Sequence, residues 1–119
     1  MPILTSTLTT LISILHIYIL ILETILWTTP RGRRAFNLTP EFAEKTKALA
    51  QSQGVYNGFL AAGLLWGVVH PDPAFGTQLR VFFLCCVFIA GVFGAATANV
   101  RILFVQGLPA FVALLAHLL

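Results

Sequence analysis

Charge is what this sequence has least of. Only 9% of its 119 residues are Asp, Glu, Lys or Arg, against roughly 25% in ordinary soluble domains. Hydrophobic residues make up 58%, and mean hydropathy is +0.91. Four acidic and seven basic side chains cannot cover the surface of a water-soluble globule of this length. That scarcity excludes a soluble enzyme, a nucleic-acid binder and a disordered chain, and leaves lipid as the solvent. Cysteine is scarce too. Cys85 and Cys86 are adjacent in an apolar run, where helical neighbours point about 100° apart. They read as small packing residues that carry no message about redox compartment. There is no Gly-rich phosphate loop after a strand, no Ser-centred nucleophile motif and no Cys/His metal spacing. No cofactor and no metal is therefore expected, and no repeat or low-complexity tract is visible.

What is present is a set of long apolar runs, and the expected fold is all-α: a four-helix transmembrane bundle forming one domain over 1–119. The first run, about 3–28, lacks a basic leader, is too long for a cleavable signal and ends at Trp27, an interfacial anchor. Residues 29–47 form the only long polar segment. Thr29-Pro30-Arg31-Gly32 reads as a turn. Thr39-Pro40 reads as a helix start, with Thr as N-cap and Pro at the first helical position. Glu41 and Glu44 then sit in the first turn, and Glu41 with Lys45 makes a favourable i,i+4 pair. A short amphipathic surface helix is expected there, running on into a second span at about 48–69. His70-Pro71-Asp72-Pro73 is a tight turn. The third span is placed at about 79–98 and the fourth at about 102–119, the latter bent by Gly107 and Pro109.

Basic residues set the topology. Arg31, Arg33, Arg34, Lys45 and Lys47 lie in the first loop, Arg101 lies at the third turn on the same side, and only Arg80 lies opposite. The bias places the first loop in the cytoplasm and both termini on the far side. The membrane would be the inner one in a bacterium and the endoplasmic reticulum in a fungus. Gly54, Gly58 and Ala62, Gly63 and Gly67, and Ala90, Gly94 and Ala98 lie at spacings that let helices approach closely in lipid. Packing within one chain is the simpler use of them; a homo-oligomer interface is the alternative.

Ionisable groups inside a membrane are costly and need a reason. His16 and Glu23 are seven residues apart, hence on one helical face and roughly 10 Å apart along the axis. Ser13, His16, Glu23 and Trp27 form a stripe that Thr9 extends outward. Gln53, Tyr56 and Asn57 share one face of the second span. The two spans run antiparallel, so these groups meet at similar depth, and Asn99, Arg101 and Gln106 enter from the same side. Arg101 is the natural counter-ion of Glu23. A Glu and a His facing one cavity suit proton abstraction and return, or a proton relay; the plainer alternative is hydrogen-bonded glue between helices. Tyr18 and Trp66 read as interfacial aromatics, and His70 and His117 as surface residues.

Two stretches carry a resemblance. One is His16-x-Tyr18, Glu23, Leu26-Trp27-Thr28-Thr29-Pro30-Arg31-Gly32-Arg33, Phe36 and Leu38-Thr39-Pro40-Glu41-Phe42-Ala43. The other runs Gln53-Gly54-Val55-Tyr56-Asn57-Gly58-Phe59-Leu60-Ala61-Ala62-Gly63. Both resemble a family of small membrane proteins catalogued as domain of unknown function 1304. The resemblance covers the whole chain and implies a four-span integral membrane protein of bacteria or fungi. It implies no activity.

Three functions follow as expectations. In the first, a polar intramembrane pocket binds a lipophilic small molecule and isomerises or cyclises it. Glu23 and His16 are then the catalytic acid and base, while Gln53, Tyr56, Asn57, Arg101 and Trp27 bind the ligand. The second is a proton-coupled exporter of small molecules; the charge bias argues against dual insertion. The third is an accessory membrane subunit whose basic loop docks a partner or anionic lipid headgroups. The expected partners are membrane lipid and a lipophilic small molecule, with no nucleic acid.

Overall fold

The computed structural model describes residues 2–119. All regular structure among them is helical: α1 Pro2–Thr24, α2 Pro30–Phe36, α3 Pro40–Lys45, α4 Lys47–Val69, α5 Pro73–Thr97, a π-helical segment Leu103–Gly107, and α6 Leu108–Leu118.

Three helices open on the same two-residue signal, a short polar side chain followed by Pro. Thr29 caps α2 by accepting the Gly32 N–H at 3.3 Å, Thr39 caps α3 by accepting the Phe42 N–H at 3.2 Å, and Asp72 caps α5 by accepting the Ala74 N–H at 3.0 Å. In each case Pro sits where a helix has no N–H to satisfy. Thr29-Pro30 thus opens a helix where a turn is expected from the sequence. The same signal starts α5 at Pro73, earlier than the apolar run alone indicates. α2 ends at Asn37, which takes the left-handed conformation (φ 57°, ψ 54°) that lets a chain leave a helix. α1 ends at Thr24, short of the expected Thr28: the Ile25 and Leu26 N–H groups both donate to the Ile21 carbonyl, at 3.0 and 3.2 Å, and the chain turns from there to Pro30. Trp27 consequently leaves the helical stripe and lies in the turn.

The expected bend in the last span is a π-helical segment. Pro109 has no N–H, and its ring crowds the carbonyl four residues earlier. Widening the helix over Leu103–Gly107 accommodates it.

The chain divides into two compact units, with the division falling inside α1 and α4. One comprises the chain up to Ile14 with Leu60–Leu119; the other is Leu15–Phe59. The first has a core of Ile12, Leu64, Leu84, Val87, Ala110 and Ala113. Ser13 Oγ donates to the Ala61 carbonyl at 2.9 Å, tying α1 to α4 within this unit. Gly91 of α5 faces Gly107, so close that a methyl on Gly91 would fall 2.5 Å from Gly107 N. Of the small residues that the sequence singles out here, Gly94 faces Ile102, whereas Ala90 and Ala98 are exposed.

In the Leu15–Phe59 unit, Gly54 and Gly58 of α4 lie against Leu20 of α1, and Gly54 also touches Glu23 and Thr24. Gly32 lets α2 lie on the Leu26–Trp27 backbone, since a methyl there would overlap the Leu26 carbonyl. Ala43 and Ala50 are buried.

α1 buries polar side chains alongside apolar ones. Thr5, Thr9, Ser13, His16 and Glu23 are buried with Ile12, Ile19 and Leu22, while Ile3, Leu11, Ile14 and Ile21 are exposed. Two helices, α1 and α5, are long and apolar enough to cross a membrane.

Candidate functional site

Six of the seven residues singled out from the sequence belong to the Leu15–Phe59 unit. Glu23 is near the end of α1 and 9% exposed. Its Oε1 accepts from Asn57 Nδ2 at 2.6 Å, and the same amide donates to the Gln53 carbonyl at 3.1 Å, one turn back along α4. Both Asn57 N–H groups are therefore spent, one fixing the amide to its own helix and one reaching across to α1. The approach is possible because Gly54, one turn before the level of Asn57, presents no side chain to Glu23 and Thr24. The glycine and the polar pair thus form one device: the first brings the helices together, the second bonds them.

His16 is 1% exposed on the same face of α1. Two helical turns, roughly 10 Å, separate it from Glu23, and buried Ile19 lies between them in the sequence on that face. The two are outside direct proton-transfer distance, so chemistry that uses both requires a ligand long enough to bridge them.

The other residues are disposed differently. Tyr56 is 60% exposed, and its ring packs edge-on to Phe59 at 6.0 Å. Gln53 is exposed as well and enters the cluster through its backbone carbonyl. Trp27 is half-buried, donates from Nε1 to Thr46 Oγ1 at 3.0 Å and packs on Phe36 at 4.8 Å. Arg101 belongs to the other unit and is exposed; its backbone N–H is held by Asn99 Oδ1 at 2.9 Å.

Two contacts in this unit lie beyond the sequence reading. Thr46, the hinge between α3 and α4, accepts from Trp27 and donates to the Phe42 carbonyl at 2.7 Å. A half-buried indole N–H needs an acceptor, and that requirement was the available signal. Arg31 Nε donates to Tyr18 Oη at 3.1 Å, so Tyr18 is joined to the basic loop.

The family described as "Protein of unknown function (DUF1304)" matches residues 10–118. This chain belongs to that family. A similar protein is "Uncharacterized protein YpaA" of Lactococcus lactis subsp. lactis (strain IL1403), 31% identical over 120 residues that cover 98% of each chain. No solved structure matches. The family match takes in Glu23, Gln53, Tyr56 and Asn57, as well as both threonine–proline helix starts.

Proposed function

We propose that this member of the family is an integral membrane protein of four helical spans. In this reading the polar site at Glu23 and Asn57 binds a lipophilic small molecule and isomerises or cyclises it by acid–base chemistry.

The exposed face of α1 supports the membrane setting, because branched apolar side chains outside, with polar groups among those inside, suit lipid better than water. Only 33% of the apolar window in α1 and 22% of that in α5 is buried, which is not how the core helix of a soluble protein behaves. α4, at 23 residues, matches α1 in length. Its polar residues cluster at one end, from Gln51 to Asn57, leaving an apolar run to Val69. The segment Leu103–Leu118 rises about 24 Å, short of the roughly 30 Å hydrocarbon core, a mismatch that local thinning of the bilayer accommodates.

The single observation that carries the functional reading is the buried Glu23 carboxyl held at one oxygen by Asn57. Oε1 is positioned by the amide, and Oε2 is left to take and return a proton. His16, two turns deeper, would meet the far end of the ligand. Gln53 and Tyr56, exposed beside Asn57, would orient its near end, with Trp27 at the rim.

The test is mass spectrometry of lipophilic molecules that co-purify in mild detergent with the wild-type protein and with Glu23→Gln. A discrete compound bound to wild type and lost from the variant is the expected result. Identical bulk lipid in both would overturn the pocket.

A further inference from the structure

We propose that Arg80 forms a binding site for a phosphate oxyanion where α4, α5 and α6 meet in the Leu60–Leu119 unit, supplied by the phosphodiester of a membrane phospholipid. The proposal rests on the membrane reading above and is independent of any chemistry at Glu23.

The guanidinium of Arg80 is half-buried and bonded to three helices. Nε donates to His117 Nε2 on α6 at 3.0 Å, Nη1 to the Gly67 carbonyl on α4 at 2.8 Å, and Nη2 to Thr77 Oγ1 on α5 at 3.1 Å. A guanidinium only donates, so His117 Nε2 must present its lone pair. The imidazole proton then lies on Nδ1, which donates to the Ala113 carbonyl at 2.7 Å. His117 is thereby fixed as the neutral Nδ1–H tautomer. Thr77 passes its own hydroxyl proton to the Pro73 carbonyl at 2.9 Å. All three partners of Arg80 are neutral. They take three of its hydrogen bonds and leave its charge uncompensated. Among the described residues no carboxylate lies within ion-pair distance of it. Asp72, the acid at this end, is eight residues earlier and uses Oδ1 to cap α5.

The site is built. A methyl on Gly67 would fall 2.6 Å from Arg80 Cγ, and one on Gly76 would fall 2.6 Å from the Gly67 carbonyl oxygen and 3.6 Å from Arg80 Nη1. α4 and α5 close glycine to glycine, and the arginine is folded back over that contact. An arginine that merely stretched toward water would not be held by acceptors on three helices. Five N–H groups on a guanidinium less three used leaves two, one on each terminal nitrogen, the pair that a phosphate takes in a fork.

Depth selects the source of the phosphate. Arg80 immediately precedes the apolar run of residues 81–98, which rises about 27 Å, close to the thickness of the hydrocarbon core. The side chain therefore sits at headgroup level. Trp66, His70 and Phe75 cluster at the same end with ring separations of 4.7 to 6.3 Å, the amphipathic ring belt of a membrane interface.

The experiment is native mass spectrometry of the full chain in mild detergent with added phosphatidylglycerol, with diacylglycerol of the same acyl chains, and with inorganic phosphate as competitor. Wild type is compared with Arg80→Gln, Arg80→Lys and Arg31→Gln. The expected result is phosphatidylglycerol retention that falls at least tenfold in Arg80→Gln, falls several-fold in Arg80→Lys and is unchanged in Arg31→Gln, with diacylglycerol unaffected throughout. Inorganic phosphate that displaces the lipid only from proteins containing Arg80 would confirm the oxyanion, whereas inorganic phosphate bound with no phosphatidylglycerol retained would overturn the lipid source. Equal loss in Arg31→Gln would reduce the effect to bulk charge and overturn the proposal. Should Arg80→Gln fail to fold, undiminished binding in Arg80→Lys overturns it. Carbonate extraction of the source membranes keeps the two readings apart. Retention in the membrane without Arg80-dependent binding rejects this site alone, and release rejects the membrane reading.

Discussion

Individual glycines decide how closely these helices approach, and they are not equivalent. A methyl on Gly91 would lie 2.5 Å from Gly107 N and 2.7 Å from Gly107 Cα, both backbone atoms that cannot yield. A methyl on Gly58 would meet only the Leu20 methyl groups, at 3.5 and 3.8 Å, which is ordinary contact. Gly91→Ala is expected to destabilise the protein by about 1–3 kcal/mol. Gly58→Ala is expected to be neutral or stabilising by up to about 1 kcal/mol, because alanine is the better helix residue. Thermal unfolding in detergent, followed by the fluorescence of Trp27 and Trp66, measures both. Equal losses in the two variants would mean that the Gly91–Gly107 approach is not a tight one. The spacing of Gly54 and Gly58, of which Gly54 makes the tight approach, was legible as a close-packing face. The importance of Gly91 was not, since its partner Gly107 is local to no motif and is brought to it only by the fold. That Glu23 meets the face of Gln53, Tyr56 and Asn57 was legible from two antiparallel helices reaching equal depth; that Asn57 is the residue that bonds it was not, since charge alone pointed to Arg101. The exposure of Tyr56 and Gln53 was not, because a shared helical face is wider than one contact.

At the scale of the element, a polar cap followed by proline starts α2, α3 and α5. Thr39 shows what the cap contributes. Its Oγ1 accepts the Phe42 N–H, one of the donors left unsatisfied in the first turn of α3. Thr39→Ala is expected to cost about 1 kcal/mol in that helix. A local cost of this size raises the amide exchange rate of Phe42 about fivefold, leaving exchange in α5 unchanged. Hydrogen–deuterium exchange by mass spectrometry reads both segments in one experiment, and unchanged exchange at Phe42 would mean that the cap is dispensable. The Thr39-Pro40 start was legible because acids and an i,i+4 pair follow it. Thr29-Pro30 carries the same signal, but α2 is only seven residues long and contains Gly32, so no apolar periodicity develops. The π-helical segment was legible only as a bend: Pro109 announces that the helix must adjust, and the form of the adjustment depends on Gly107 meeting Gly91.

The whole molecule carries an asymmetry that can be read with a thiol reagent. Five of its seven basic residues lie between Arg31 and Lys47, and Arg80 and Arg101 are the other two. In the four-span reading proposed above, the positive-inside rule predicts that the segment bearing α2 and α3 is cytoplasmic and that the turn at Pro71 is not. Arg34 and Pro71 are both exposed, so either position tolerates a reporter. In a background carrying Cys85→Ala and Cys86→Ala, Arg34→Cys and Pro71→Cys each provide a single thiol. A membrane-impermeant maleimide applied to right-side-out vesicles is expected to label Pro71→Cys and spare Arg34→Cys, with both labelled after detergent. The reverse pattern would invert the topology. It would also separate Arg80 from the leaflet assigned to it above, although its bonds to Gly67, Thr77 and His117 would be untouched. Labelling of both positions in sealed vesicles would mean mixed orientation. The predicted bias of six cations against one argues against that outcome, since the inverted orientation carries the five cations of the basic segment and Arg101 across the bilayer against the membrane potential, while the alternative moves Arg80 alone.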